Sequence, residues 1–219
     1  MKIHRFIGRI EDEEITRQIR DILKLRPGEH VTISDGKGDD KLVEITEVGK
    51  EITYKTIKKL ELVEPKREVS LYLAVLKKEN FELATQKAVE CGVSKIIPVI
   101  TERTIKTGLN IERLEKIIKE ASEQSGRSIV PTLSPISNFK DALENAKGEK
   151  IIFHFGGTDF PKYRGVSSLS IFIGPEGGFT EKEVEKAKAS GFLVCSLGPL
   201  TLRSETAAII GTYLALHAI

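Results

Sequence analysis

An alternation of buried strands and glycine-terminated helices over residues 69–219 is the feature that most limits the fold of this chain. The stretch from Val69 to Leu76 is a nearly continuous apolar run, which is typical of a strand covered on both faces. Helical periodicity follows Asn80, a residue that can cap a helix, and Gly92 is placed to end that helix. Strands and helices that alternate in this way indicate an α/β domain with a mainly parallel sheet.

The same alternation continues along the second half of the sequence. Asn110 can cap a helix that runs to about Gly126, and Thr180 with Glu183 forms a capping box at the start of another. Ser204 begins the last predicted helix. The remaining predicted strands are residues 95–100, 150–155, 169–174 and 193–197.

Residues 1–67 differ from the rest and predict a small β-rich unit. A helix is expected near residues 15–23, where isoleucine and leucine recur at helical spacing. The polar, proline-containing stretch 64–68 is expected to separate two domains, residues 1–67 and 68–219. Short strands of the first domain are predicted at residues 31–34, 42–45 and 52–57.

Composition predicts a globular protein of the cytoplasm. The 219 residues are 40% hydrophobic and 30% charged, and no apolar run approaches the roughly 20 residues that span a bilayer. The net charge of +2 does not by itself predict binding to nucleic acid. Cys91, Cys195 and the four histidines lack metal-ligand spacing, so we expect no metal, and free thiols are favoured over a disulfide.

A glycine-rich turn from Gly174 to Gly178 lies between a predicted buried strand and a capped helix. Ligands of open α/β sheets bind beyond the carboxyl ends of the strands, and glycine lets the backbone approach a ligand closely. The turn matches neither common phosphate-binding motif, and the carboxylate of Glu176 would repel phosphates. It therefore predicts either a ligand other than a nucleoside triphosphate or a tight turn without a ligand.

A second turn, Gly198-Pro199, also joins a predicted strand to a helix. Arg203 precedes that helix and is expected on the same edge of the sheet as the first turn. The guanidinium group is suited to bind an anionic or electron-rich group. Arg203 could instead pair with Glu205 at the helix start or form a surface ion pair.

These two segments resemble the signature of the 16S ribosomal RNA uridine N3-methyltransferase family of the SPOUT superfamily. The family pattern Gly-Pro-Glu-Gly-Gly is matched by residues 174–178, and Leu-Gly-x-x-x-Leu-Arg-x-Glu-Thr-Ala is matched by residues 197–207. The stretch 22–28 is similar to the family's RNA-binding domain, so the resemblance spans essentially the whole chain. Leu200 departs from the pattern, because the family often has arginine there.

The resemblance implies a fold, a cofactor and partners. It implies a PUA-like β-barrel over residues 1–67 and a SPOUT-type trefoil-knotted α/β methyltransferase domain over residues 68–219. It also implies a homodimer that acts on 16S ribosomal RNA of the small ribosomal subunit with S-adenosylmethionine as methyl donor. By the same resemblance, three loops hold the cofactor through Phe155, Gly156, Ile173, Gly174, Pro175, Glu176, Gly177, Gly178, Leu197, Gly198, Leu200, Thr201 and Leu202.

Methylation of uracil N3 requires removal or displacement of its proton. We expect Arg203 to stabilise charge on the uracil oxygens, and Glu205 is a candidate general base whose alternative role is helix capping or pairing with Arg203. Two alternatives stay open: a related methyltransferase acting on another RNA atom, such as a ribose hydroxyl, and a non-catalytic RNA-binding or ribosome-assembly protein. The candidate RNA contacts are Arg5, Arg9, Arg26, Lys77, Lys78, Arg103 and Arg127.

Overall fold

The structure, a computed structural model, describes residues 3–105, 108–163 and 165–218. The chain divides into two compact units, each with its own hydrophobic core. None of the helices in these described ranges is long and apolar enough to cross a membrane. The first unit comprises Met1–Glu64 with Ser122–Val130, and the second comprises Pro65–Ala121 with Pro131–Ile219.

The first unit contains a four-stranded sheet in the order β1-β2-β3-β4. Strands β1 and β2 are parallel, whereas β3 is antiparallel to both of its neighbours. A short helix, α1, continues into a π-helical turn at Gln18–Ile22. The elements are β1 (His4–Ile7), α1 (Glu13–Arg17), β2 (His30–Ser34), β3 (Asp40–Val48) and β4 (Ile52–Lys59).

The predicted helix near residues 15–23 is confirmed in place, but its second half is wider than an α-helix. Ile15 and Ile19 are fully buried, whereas Ile22 is 60% exposed. A π-helical turn adds a residue to the turn and so rotates the following side chains away from the buried face. The core that α1 covers consists of Phe6, Ile10, Ile15, Ile19, Val31, Val43, Ile45 and Ile52.

The second unit is built on a seven-stranded parallel sheet, which confirms the prediction of a mainly parallel sheet. The main path runs in the order β11-β9-β10-β5-β6-β7, and β8 also pairs with β6. Its elements are β5 (Glu68–Ala74), α2 (Lys78–Cys91), β6 (Lys95–Ile100), α3 (Ile111–Ser125), β7 (Thr132–Leu133), β8 (Ser137–Asn138), α4 (Phe139–Asn145), β9 (Glu149–Thr158), β10 (Ser168–Ile173), α5 (Glu181–Ala189), β11 (Leu193–Cys195) and α6 (Ser204–His217).

Helices cover both faces of this sheet. On one face an aromatic core includes Phe172, whose ring stacks on Tyr72 with 4.3 Å between centroids. On the other face α2 and α6 pack against each other, and α6 packs on β5 and β10. Gly211 permits this approach, since a Cβ atom there would lie 3.0 Å from the ring of Phe153.

The last helix begins at Ser204 as predicted, and of the three predicted side-chain caps two are confirmed and one is wrong. The Asn110 side chain accepts a 3.0 Å hydrogen bond from the backbone N–H of Arg113, and Thr180 forms the predicted capping box with Glu183. Asn80 is not a cap, because α2 already begins at Lys78 and no side chain caps it. The predicted end of α2 is confirmed, because Gly92 follows its last residue and has a left-handed φ of 110°.

Candidate functional site

The ends of three neighbouring strands line one cavity at the carboxyl edge of the parallel sheet. Strands β9, β10 and β11 are adjacent and parallel, so the segments that follow them meet at this edge. The space between these segments measures about 650 Å³ when its part open to solvent is included. Small-molecule sites of α/β proteins occur preferentially at this edge of the sheet.

The glycine-rich turn after β10 has a conformation that favours glycine at two positions. The backbone N–H of Gly178 donates a 2.8 Å hydrogen bond to the carbonyl oxygen of Pro175, and Gly178 has a φ of +68°. A Cβ atom at Gly174 would lie 3.1 Å from the backbone nitrogen of Phe179. The glycines therefore shape the cavity wall through their backbone.

The segment after β11 is held against the end of β9. A Cβ atom on Gly157 would lie 2.5 Å from the carbonyl carbon of Cys195, so the two backbones are in direct contact. The N–H of Ser196 donates a 2.8 Å hydrogen bond to the carbonyl oxygen of Thr158. Gly198 then turns the chain with a φ of +111°.

Among the described residues that line the cavity, Glu176 carries the one formal charge, and most of the others are apolar or glycine. Its Oε1 accepts a 3.3 Å hydrogen bond from the backbone N–H of Lys77. An apolar cavity with a carboxylate at its edge suits a ligand that has both an apolar part and a positive charge, and disfavours a polyphosphate.

The cofactor candidates line this cavity with two exceptions, Gly156 and Gly177. Gly156 follows the lining residue Phe155 with a φ of +73°. Gly177 packs beneath the side chain of Arg103, where a Cβ atom would be 3.3 Å from Cδ. These two glycines therefore support the loops whose neighbouring residues form the cavity wall.

Arg203 is placed at the start of α6, between the lining residues Leu202 and Ser204. Its side chain is exposed and makes no capping hydrogen bond at the helix start. Arg203 itself is not among the residues that line the cavity, although both of its chain neighbours are.

Glu205 is buried, and its Oε2 has no hydrogen-bond partner within the described ranges. It shares a helical face with the buried residues Ala208 and Thr212, whereas the lining residues Ser204 and Ala207 occupy the adjacent face. Burying a carboxylate oxygen without a hydrogen-bond partner costs free energy. Groups left unpaired in this way often have a functional role.

Sequence reasoning missed several cavity residues, among them His154. Its side chain is 17% exposed, and its Nε2 lies 3.6 Å from Oε1 of Glu181. Phe153, His154 and Phe155 all line the cavity, although alternation along a strand would place them on opposite faces. The pairing of β9 with β11 shifts register beside this segment. This shift could not be predicted from the local sequence. The other missed lining residues are Phe179, Ser196, Ser204 and Ala207.

The buried thiol beside the third loop is not suited to act as a nucleophile. Burial raises the pKa of Cys195, and a hydrogen bond with Thr158 opposes this only in part. The thiol therefore stays protonated near neutral pH, whereas thiol chemistry needs the thiolate.

Two of the candidate RNA contacts, Arg5 and Arg127, have a different role in the structure. Arg5 Nη1 lies 2.8 Å from Oδ2 of Asp40, and Arg127 Nη2 lies 2.7 Å from Oε2 of Glu64. The two arginine side chains are 10% and 8% exposed. A phosphate could reach them only by breaking these buried pairs, so we assign both to the interior of the first unit.

The remaining basic candidates are exposed. Arg9, Arg26, Lys77 and Lys78 present their side chains to solvent, where a phosphate can approach. Arg103 is also exposed, but its Nη1 donates a 2.6 Å hydrogen bond to a backbone carbonyl of the glycine-rich turn.

Comparisons with known proteins agree with this geometry. Residues 63–215 match the family pattern of the RNA methyltransferase domain. The ribosomal RNA small subunit methyltransferase E of Mesomycoplasma hyopneumoniae is 38% identical over 154 residues, which cover 67% of this chain and 68% of that protein. The protein of the same name from Rickettsia conorii is 31% identical over 204 residues, covering 87% and 82%.

Two solved structures share the fold over nearly the whole chain. A ribosomal RNA small subunit methyltransferase E of Neisseria gonorrhoeae, solved with S-adenosylmethionine bound, has a TM-score of 0.87 and 29% identity. The similarity covers 96% of this chain and 95% of that one. A Legionella pneumophila protein solved in complex with the same cofactor has a TM-score of 0.84 and 28% identity, covering 98% and 97%.

Proposed function

This chain belongs to the RNA methyltransferase family, and we propose that it transfers a methyl group from S-adenosylmethionine to 16S ribosomal RNA of the small ribosomal subunit. One observation carries the proposal: three glycine-containing loops meet around a mostly apolar cavity at the carboxyl edge of a parallel sheet. Relatives of the same fold are solved with this cofactor bound.

The residues present fit that cofactor. The glycine-rich turn offers backbone groups where a Cβ atom would intrude, and the apolar wall suits an adenosine moiety. Glu176 supplies a negative charge for a ligand whose amino and sulfonium groups are positive. When bound, the cofactor supplies an electrophilic methyl group on sulfur. The chain's own contribution is to hold donor and acceptor in line and to exclude water.

We propose that the acceptor is N3 of a uridine base. Uracil N3 is protonated and weakly nucleophilic, and loss of the proton spreads negative charge over the neighbouring carbonyl oxygens. The chain neighbours of Arg203, Leu202 and Ser204, line the cavity, and its exposed guanidinium group would donate hydrogen bonds to those oxygens. A preorganised donor of this kind lowers the barrier most when the charge develops in the transition state.

We propose Glu205 as the group that receives the N3 proton. Its buried carboxylate follows Arg203 by two residues, and Oε2 has no partner within the described ranges. Because its helical face is next to the one that lines the cavity, the proton would reach it after a change of rotamer or through a water molecule.

We propose a trefoil knot in the second unit. Gly157 and Cys195 bring the end of β9 into contact with the segment that leads to α6. The N–H of Tyr163 donates a 3.4 Å hydrogen bond to the carbonyl oxygen of Ala218, which links the β9–β10 connection to the end of α6. The resemblance to the SPOUT superfamily is the ground for the knot, and these contacts keep the segments that would cross close to each other.

We propose a PUA-like barrel in the first unit, with residues 1–67 as an RNA-binding domain and 68–219 as the methyltransferase domain. The ladder between β3 and β4 has two register irregularities, which bend strands as barrel closure requires. Exposed arginines of this unit, Arg9 and Arg26, would contact phosphates of ribosomal RNA.

We further propose a homodimer in the cytoplasm. Large apolar side chains are exposed at the cavity edge and along α6, as expected for a surface that a second subunit covers. They are Phe155 at 60%, Leu200 at 75%, Ile210 at 37% and Tyr213 at 55% exposure. Sedimentation velocity should give twice the chain mass, and a monomer at micromolar concentration would reject this part of the proposal.

Single-turnover methyl transfer tests the function. The chain is mixed with small ribosomal subunits or free 16S ribosomal RNA and tritium-labelled S-adenosylmethionine. We expect transfer to the RNA, and a rate about 10²–10³-fold lower for Arg203→Ala at unchanged cofactor affinity. Lys182→Ala, at an exposed lysine of α5, is the matched control. Cofactor binding without transfer to any RNA would favour a non-catalytic protein.

A further inference from the structure

The contacts of Arg103 differ from those of an arginine whose guanidinium group is free to bind a phosphate. Its Nη1 donates a 2.6 Å hydrogen bond to the carbonyl oxygen of Gly177 and lies 3.4 Å from that of Phe179. Its methylene groups cover Gly177, where a Cβ atom would be 3.3 Å from Cδ and 3.6 Å from Cβ of the arginine. Both the charge and the aliphatic part of Arg103 are therefore engaged by the glycine-rich turn.

Apart from Arg103, the turn is held by an internal hydrogen bond from Gly178 to Pro175 and by the contact of Glu176 with the backbone of Lys77. Gly177 lies between Glu176 and Gly178, both of which line the cavity. Glycine loses more conformational freedom on ordering than any other residue, so a run of glycines needs contacts from outside to stay in one conformation. A charged donor shared by the carbonyl oxygens of Gly177 and Phe179 provides such a contact.

A second set of bonds fixes the corner from which Arg103 reaches. The backbone N–H of Glu102 donates a 2.9 Å hydrogen bond to Oε1 of Glu183, which is 5% exposed. Thr180 Oγ1 lies 3.1 Å from Oε2 of Glu102. The corner after β6 is thereby joined to the first turn of α5, directly beyond the glycine-rich turn. Arg103 thus extends from a backbone that is already anchored to the segment it braces.

We propose that Arg103 is a positioning residue of the cofactor site: it holds the turn Gly174–Gly178 in the conformation that binds S-adenosylmethionine. This inference rests on the proposed function, because it takes the cavity to be the cofactor site. It replaces the assignment of Arg103 as an RNA contact. The two roles differ in what they predict, because a positioning residue acts on cofactor affinity in the absence of RNA.

Calorimetric titration of the RNA-free chain with S-adenosylmethionine tests the proposal. We expect Arg103→Ala to raise the Kd for the cofactor by about tenfold or more, the value of a lost charge-assisted hydrogen bond. Arg103→Lys keeps the charge but not the forked geometry of the guanidinium group. Its Kd for the cofactor should therefore lie between those of the parent chain and Arg103→Ala. The control is Arg113→Ala, which removes an exposed arginine of the same unit that pairs with Glu82 at 2.8 Å and should leave the Kd unchanged.

Hydrogen exchange adds a readout independent of cofactor. The amides of Gly174 and of residues 176–179 should exchange faster in Arg103→Ala than in the parent chain or in Arg113→Ala, whereas exchange of the sheet stays the same. If Arg103→Ala does not fold, the exchange rates of Arg103→Lys are compared with those of the parent chain, and faster exchange in the turn supports the proposal.

Measurements of RNA binding distinguish the positioning role of Arg103 from a role as an RNA contact. If Arg103→Ala keeps the parent cofactor Kd but weakens RNA binding and lowers the salt slope by about 1, Arg103 contacts phosphate and the proposal is overturned. An unchanged salt slope with a raised cofactor Kd supports it. Absence of cofactor binding by the parent chain would overturn the proposed function and this inference together, whereas parent binding that the variant retains overturns this inference alone.

Discussion

The guanidinium group of Arg67 donates a 2.7 Å hydrogen bond to the backbone carbonyl oxygen of Ala215. Arg67 is 9% exposed, and it also donates to the carbonyl oxygens of Val166, at 3.0 Å, and Ala218, at 3.5 Å. A further hydrogen bond reaches the carbonyl oxygen of Tyr163. One side chain therefore joins the last turn of α6 to the segment that connects β9 with β10.

Replacing Arg67 by methionine should lower the free energy of unfolding by about 3 kcal/mol, because buried carbonyl oxygens lose a charged donor. Urea unfolding measures the change. Lys66→Ala, at the exposed neighbouring position, is the control and should change stability by less than about 0.5 kcal/mol. Equal stability of the two variants would show that Arg67 does not hold the end of α6.

Alanine at Gly157 should be severely destabilising. Its Cβ atom would lie 2.5 Å from the carbonyl carbon and 2.9 Å from the Cα atom of Cys195, and backbone on both sides cannot move aside. We expect a loss of about 3 kcal/mol or more and weaker binding of S-adenosylmethionine, because the third loop starts at this contact. Gly108→Ala has no atom within 4 Å of the added Cβ and serves as the control. Unfolding midpoints of the two variants give the comparison, and a tolerated Gly157→Ala would contradict the contact.

Removing the charge of Glu176 should weaken the cofactor without changing the fold. Glu176→Gln is expected to raise the Kd for S-adenosylmethionine by about threefold to fivefold, the value of an ion pair that remains in contact with water. The effect should shrink as salt is added. Glu181→Gln, at a carboxylate that is 87% exposed, provides a matched control. Tighter binding by Glu176→Gln would mean that the carboxylate faces a negative part of the ligand.

Stability should decline at alkaline pH. Burial raises the pKa of Tyr72, Cys91, Tyr163 and Cys195 in the folded chain. In the unfolded chain cysteine ionises near about pH 8.5 and tyrosine near about pH 10. The stability that these groups contribute is therefore fully present below about pH 8.5 and is lost as the pH rises through the folded pKa values.

Urea unfolding between pH 7 and pH 10 checks this dependence. A chain with both Cys91→Ala and Cys195→Ala should lose less stability than the parent between about pH 8.5 and pH 9.5, where thiols ionise to a greater extent than phenols. A parent chain that gains stability over this range would contradict the prediction.

Local signals predicted the helices and strands that carry the site. The apolar run at β5 and the capping box of Thr180 with Glu183 depend on neighbours in sequence, and both are present. The predicted Asn80 cap failed because a helix can begin without a side-chain cap when tertiary packing stabilises its first turn. Strand β1 was not predicted, since four residues paired in parallel with a distant strand leave no turn signal.

Long-range pairing explains the part of the site that local patterns could not give. From the sequence, Arg5 and Arg127 were predicted to be surface bases. In the structure they form buried ion pairs with Asp40 and Glu64, which are far away in sequence. His154 enters the cavity because β9 and β11 shift register beside it. Such partners are set by topology, which periodicity and composition do not specify.

Nucleoside mass mapping of 16S ribosomal RNA tests the central claim most directly. Small subunits from cells that lack this protein are treated with the purified chain and S-adenosylmethionine, digested to nucleosides and analysed by mass spectrometry against an untreated sample. We predict one additional methyl group per RNA, on the base of a uridine, with the fragmentation pattern of N3-methyluridine. Methylation of a ribose hydroxyl, or no methylation by a chain that binds the cofactor, would contradict the account.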